Sequence, residues 1–169
     1  MGILASLLAF VGCDQLVQSQ LVYTTGTDVG TMLQAASVDG PLTVETMGDT
    51  LGADAPTLNA RMIRLLQENN PLPWLKFVDD RSKTANEHRL VFVFDARTVR
   101  QPDFPAICAG RPPRFEKDPA KLNVHAVICT PRGPAVAVWG WVRRPQGVDD
   151  PAFDRLMIQV GRSAIRGTT

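Results

Sequence analysis

Apolar positions recur along the chain with two different periods, and the switches between them mark the elements. Residues 40–48, GPLTVETMG, alternate imperfectly through Leu42, Val44 and Thr46 or Met47, which predicts a short strand. The Gly- and Asp-rich loop GDTLGADAPTL follows, and a helix is expected from about Asp54, with Pro56 in its first turn. Leu58, Met62, Leu65 and Leu66 then share one face at helical spacing, and Asn69, Asn70 and Pro71 end the run. Trp74, Leu75, Phe77 and Val78 read as a second short strand, followed by the charged loop DDRSKTANE. RLVFVFD, residues 89–95, is the strongest strand pattern: five consecutive apolar residues bounded by charge. That is the mark of a central strand buried on both faces.

Residues 96–121 hold Pro102, Pro105, Pro112, Pro113 and Pro119, a density that excludes regular structure for most of the segment. LNVHAVICT, the turn PRGP and AVAVWGWVRR predict a hairpin of 124–130 against 135–142. On its second strand Val136, Val138, Gly140 and Val142 fall on one face, and Ala137, Trp139 and Trp141 on the other. Gly140 would relieve crowding against a large side chain or mark a bulge. VDDPAFDRLMIQVGRSAI reads as a helix capped by Asp149 or Asp150, with Pro151 in its first turn. Phe153, Leu156, Met157, Val160, Ala164 and Ile165 form its apolar stripe. The order is β-α-β-β-loop-β-β-α. The expected fold is α+β, a mainly antiparallel sheet with two main helices on one face.

The N-terminus breaks both periods. Residues 2–12, GILASLLAFVG, are uncharged. The run is too short for a bilayer, which takes about 20 residues, but it has the length of a signal-peptide core. Phe10 to Cys13 resembles a bacterial lipobox, in which the cysteine is lipidated and becomes the mature N-terminus. Only the α-amine of Met1 supplies positive charge before it, so either the signal is a weak one or the true start lies upstream. The alternative is a buried first helix with Cys13 as a core thiol. DQLVQSQLVYTTGTD has no sustained amphipathic period and reads as a polar tether. The domain plan is a signal peptide over 1–12, a lipidated Cys13 with a flexible tether over 13–38, and a single α+β domain over 39–169. Asp14 resembles the inner-membrane retention signal of some enteric lipoproteins, and the choice between inner and outer membrane stays open.

Composition sharpens this picture in two places. With 169 residues, 44% apolar and 21% charged, the chain can bury a core and is neither disordered nor a multi-span membrane protein. The net charge of +1 gives no pull towards nucleic acid. It hides a net of −6 over residues 14–80 and +7 over residues 81–169. A basic patch drawn from Arg111, Arg114, Lys117, Lys121, Arg132, Arg143 and Arg144 would suit an anionic envelope polymer or lipid, or an acidic protein partner. Plain complementarity between the two halves is the alternative. Trp139 and Trp141 share a strand face and are candidates for core or interface packing.

Chemistry is sparse. With Cys13 assigned to lipid, a bridge between Cys108 and Cys129 would staple the proline-rich loop to a strand. Two separate buried thiols are the alternative. Nothing resembles C-x-x-C or a Cys/His cluster, so no metal is indicated, and no nucleotide motif indicates a cofactor. His88 and His125 are isolated, Asp79 with Asp80 reads as a solvated loop, and no catalytic residue is nominated.

The lipobox-like Cys13, GPLTVETMG with its loop and helix, RLVFVFD, CAGRPP, the strand holding Cys129 and DDPAFDRLM together resemble an uncharacterised group of small alphaproteobacterial cell-envelope lipoproteins. The resemblance covers most of residues 38–160 and implies an envelope address with no activity to carry over. The expected function is a lipid-anchored, non-enzymatic binding or assembly module facing the periplasm. A structural subunit of a larger envelope complex and a small periplasmic hydrolase are the alternatives.

Overall fold

The computed structural model describes residues 17–49, 51–97 and 102–168. The expected signal peptide and Cys13 lie outside them. In chain order the elements are β1 (Gln18–Thr24), α1 (Val29–Ala36), β2 (Leu42–Met47), α2 (Ala55–Asn69), β3 (Phe77–Val78), β4 (Arg89–Phe94), α3 (Phe104–Cys108), β5 (Lys121–Thr130), β6 (Gly133–Arg143) and α4 (Pro151–Arg166). Each helix starts at an aspartate whose carboxylate accepts main-chain N–H bonds: Asp28, Asp54, Asp103 and Asp150. Pro56, Pro105 and Pro151 sit in first turns, where the missing N–H costs nothing.

One six-stranded sheet runs in the order β1-β6-β5-β4-β2-β3. β1, β6, β5 and β4 pair antiparallel, whereas β2 is parallel to both β3 and β4. The sheet is therefore mixed, and the expected mainly antiparallel sheet with two helices on one face is overturned. The physical reason lies in α2. A helix between two neighbouring strands returns the chain to the starting end, so the second strand runs parallel to the first. The chain then crosses back past the start of β2, where Thr84 donates to the Pro41 carbonyl and Asn86 to that of Gly40.

A second correction concerns residues 18–38 of the expected tether. They are not a flexible tether but form β1, α1 and a short 3-10 turn. β1 is an edge strand with exposed Gln18 and Gln20, so its alternation is mostly polar and gives little apolar signal.

α1, α2 and α4 cover one face of the sheet. Leu33, Met62, Leu66, Phe153, Leu156 and Val160 meet Val44, Leu90, Phe92, Val124, Ala126 and Val138 there in one buried cluster. Each large side chain of this kind contributes roughly 2 kcal/mol on burial. α3 lies on the opposite face, where Phe104, Ile107 and Cys108 pack on Val91, Val93, Val127, Cys129 and Ala137. β4 is thus buried on both sides, as its sequence predicts. The two faces of β6 also divide as expected. At Gly140 an added Cβ would stand 2.4 Å from Val160 Cγ1, so the glycine lets α4 approach β6 closely.

Candidate functional site

The disulfide expected between Cys108 and Cys129 is present, with a Cα–Cα distance of 5.3 Å. It joins the end of α3 to the penultimate residue of β5 and holds the proline-rich segment against the sheet. Beside it lies Arg89, 8% exposed, the register partner of Cys129. Arg89 pairs with Glu45 at 2.8 Å and donates a second hydrogen bond to the Cys108 carbonyl. Arg81 reaches the same carboxylate at 2.5 Å. Burial pushes the Glu45 carboxyl up, but the Arg81 hydrogen bond and the Arg89 charge outweigh it and hold it below its ordinary value.

Cys108, held by these contacts, lines an open groove of about 940 Å³. The groove lies at the sheet end where β1 finishes, β5 turns into β6 and α3 stops. Its apolar lining comes from Tyr23, Met32, Pro105, Pro131, Pro134 and the Cys108 side of the disulfide. Its polar lining includes Thr25, Thr27, Thr130, His88 and Arg132. His88 Nδ1 lies 3.2 Å from Asn86 Oδ1. Burial holds this imidazole below its ordinary value against the attraction of Asp39 and Glu87. An apolar floor with a few hydroxyls and one exposed cation suits a side chain or short segment of mixed character.

The basic residues singled out in the sequence do not gather in one patch. Arg132 stands at the groove, whereas Lys121 and Arg143 are register partners at the opposite end of the sheet. Arg144 is drawn inward, onto Asp95 and, at 3.4 Å, onto Asp49, which Lys117 also pairs at 2.9 Å. Complementarity between acidic first half and basic second half accounts for the two pairs on Asp49, whereas Arg144–Asp95 lies within the second half. Arg111 and Arg114 are exposed on the segment that leaves α3. Trp139 and Trp141 are half-buried on the α3 side of the sheet, with the Lys121 ammonium 4.2 Å from the Trp141 ring centroid. Asp150 caps α4, while Asp149 joins Asp154 in holding Arg61 of α2.

His125 is buried on the α3 side, with its ring 5.9 Å from that of Phe104. Among the described residues no group of three or more His, Cys, Asp or Glu could hold a metal. None of the helices there is long and apolar enough to cross a membrane. Sequence reasoning missed the groove because Tyr23, Thr25, Thr27 and Met32 were assigned to the tether. The aspartate at 28, an N-cap ahead of an apolar Val29 and Leu33, was the available signal.

No protein-family model matches the chain, and no curated protein does. Among solved structures it is similar to the PelC dodecamer from Paraburkholderia phytofirmans, at 8% identity and a TM-score of 0.45 over 91% of this chain and 100% of that one. A methionine variant of that dodecamer from the same organism gives 7% identity and a TM-score of 0.40 over 91% and 99%. Likeness of this degree carries no conclusion about what this chain does. The alphaproteobacterial lipoprotein group is not among these matches.

Proposed function

We propose that the chain is an exported, lipid-anchored protein of the bacterial cell envelope that serves as a structural or assembly subunit, holding a segment of a partner protein in the groove. The observation that carries this reading is the Cys108–Cys129 disulfide, which forms part of the groove wall. Structural disulfides of this kind persist in oxidising compartments and are rare in the cytosol. The lipobox-like Cys13 supports the anchor, because β1 begins five residues later, at Gln18. β1 ends at Thr24, beside the groove, about 20 Å along the strand from Gln18, where the strand begins. A peptide-like occupant suits the apolar lining with Arg132 at its rim.

Two measurements test this. The intact mass of protein recovered from membranes, with and without reductant, should show a chain starting at diacylated Cys13 with Cys108 and Cys129 joined. Retention of residues 1–12 with free thiols would sink the envelope reading. Capture of envelope proteins by the anchored form should fall when Met32→Glu or Arg132→Glu is introduced; undiminished capture by both variants would remove the groove from the proposal.

A further inference from the structure

The two edges of the sheet are built differently. β3 forms one edge with two residues, preceded by Pro71 and Pro73 and followed by Asp79, Asp80 and Arg81. Short length, proline and charge are the usual means of preventing another strand from pairing. β1 forms the other edge with seven residues, QSQLVYT, and has neither charge nor proline. Its main chain pairs with β6 on one side, and among the described residues nothing pairs with the other.

The surface beside this edge has the same character. From residue 15 to residue 38 the sequence holds one charged residue, Asp28, whose carboxylate caps α1. On β1 Gln18 and Gln20 are exposed and Leu21 and Tyr23 are half-buried, and half-buried Met32 of α1 lines the groove with Tyr23. Depletion of charge around Tyr, Met and aliphatic side chains is the composition of an interface core.

We propose that β1 pairs antiparallel with β1 of a second copy of this chain, joining two six-stranded sheets across a two-fold axis. An isologous edge sets the same short stretch against itself. Lys or Glu there would face its own charge, and β1 has none. Gln18, Ser19 and Gln20 both donate and accept hydrogen bonds, so they match themselves. The irregularity between Leu21 and Tyr23 confines the regular part of the edge to its first half, which sets the axis near Ser19 and Gln20. Gln159 of α4 donates to Ser19 Oγ at 2.9 Å, which fixes that hydroxyl beside the edge. The pairing needs neither the lipid anchor nor an occupied groove.

The full chain, purified and followed by analytical ultracentrifugation across a dilution series, should sediment as a dimer. Gln18→Lys with Gln20→Lys should weaken the dimer by about tenfold or more, since a tenfold change corresponds to about 1.4 kcal/mol. Gln20→Asn should leave it intact. Oxidation of Gln20→Cys should yield a covalent dimer, while Lys76→Cys, exposed beside β3 at the opposite edge of the sheet, should not. The Cys13→Ser chain should remain dimeric. Monomeric wild type at every concentration overturns the proposal. So does dimerisation lost in Cys13→Ser alone, which would assign association to the acyl chains. If the lysine variant does not fold, failure of Gln20→Cys to cross-link overturns it instead.

Discussion

Arg89 and Cys129 stand opposite one another in the β4–β5 ladder, and the Arg89 guanidinium holds the carbonyl of Cys108, the other half of the disulfide. One covalent bond and one hydrogen bond therefore fix the same end of α3. Glu45 on β2 completes the arrangement at 2.8 Å from Arg89. Three neighbouring strands and α3 are tied at a single place beside the groove.

Removing the disulfide should cost about 3 kcal/mol, the chain-entropy value for a loop of this size. Its sequence separation is 21 residues. Denaturant unfolding of Cys108→Ser with Cys129→Ser, against the wild type, measures it. Amide exchange should rise in α3 first, because Phe104 and Ile107 are held down through this link.

Arg89→Ala should cost more than a surface ion pair would, about 3 kcal/mol, because Glu45 keeps only Arg81 and the Cys108 carbonyl loses its donor. Arg81→Ala, at a side chain 61% exposed, should cost under about 1 kcal/mol. Unfolding midpoints of the two variants at neutral pH make the comparison.

The Glu45 carboxyl is held below its ordinary value of 4.5, so the folded chain binds fewer protons there than the unfolded chain. This contribution is fully present above 4.5 and is lost as the pH falls through the lowered folded value. Stability of Glu45→Gln should therefore fall less steeply with acid than that of the wild type. Equal slopes in urea titrations between neutral pH and mild acid would contradict this.

Gly140→Ala should destabilise by about 1–3 kcal/mol through overpacking against α4. The added Cβ would stand 2.4 Å from Val160 Cγ1 and 3.1 Å from the Gln18 carbonyl oxygen. Val160→Ala in the same chain should recover part of the loss, so the double-mutant cycle should show a favourable coupling.

Asp95 has φ 49° and is 1% exposed, with Arg144 on one carboxylate oxygen and the Asn123 N–H at 3.1 Å on the other. Asp95→Ala should cost about 3 kcal/mol, because it takes from Arg144 its buried carboxylate partner, leaving Asp49 at 3.4 Å, and removes the side-chain support for left-handed backbone. Asp95→Asn should cost less, since asparagine tolerates that backbone and can still accept from Asn123. Thermal unfolding of the pair gives the order.

Much of the local structure was legible in the sequence. The aspartate caps with prolines in first turns placed α2 and α4, and the apolar run of β4 announced a strand buried on both faces. The glycine at 140 signalled a close approach, and the two cysteines left once Cys13 is assigned to lipid signalled a bridge. Strand direction was not legible: apolar periodicity says nothing of it, and the parallel pairing of β2 with β3 and β4 overturns the antiparallel expectation.

What the sequence determined by itself is which residues turn inward on each element, because periodicity and capping are local and act within a few residues. The tertiary structure decided which elements meet. β1 is a strand because β6 supplies its main-chain partners, and α1 exists beside it although the same residues read as polar linker. The groove, the Arg89–Glu45 pair and the Arg144–Asp95 pair each join residues 44 or more positions apart or from several elements. Such meetings depend on strand order and register, which long-range pairing fixes and local pattern does not encode.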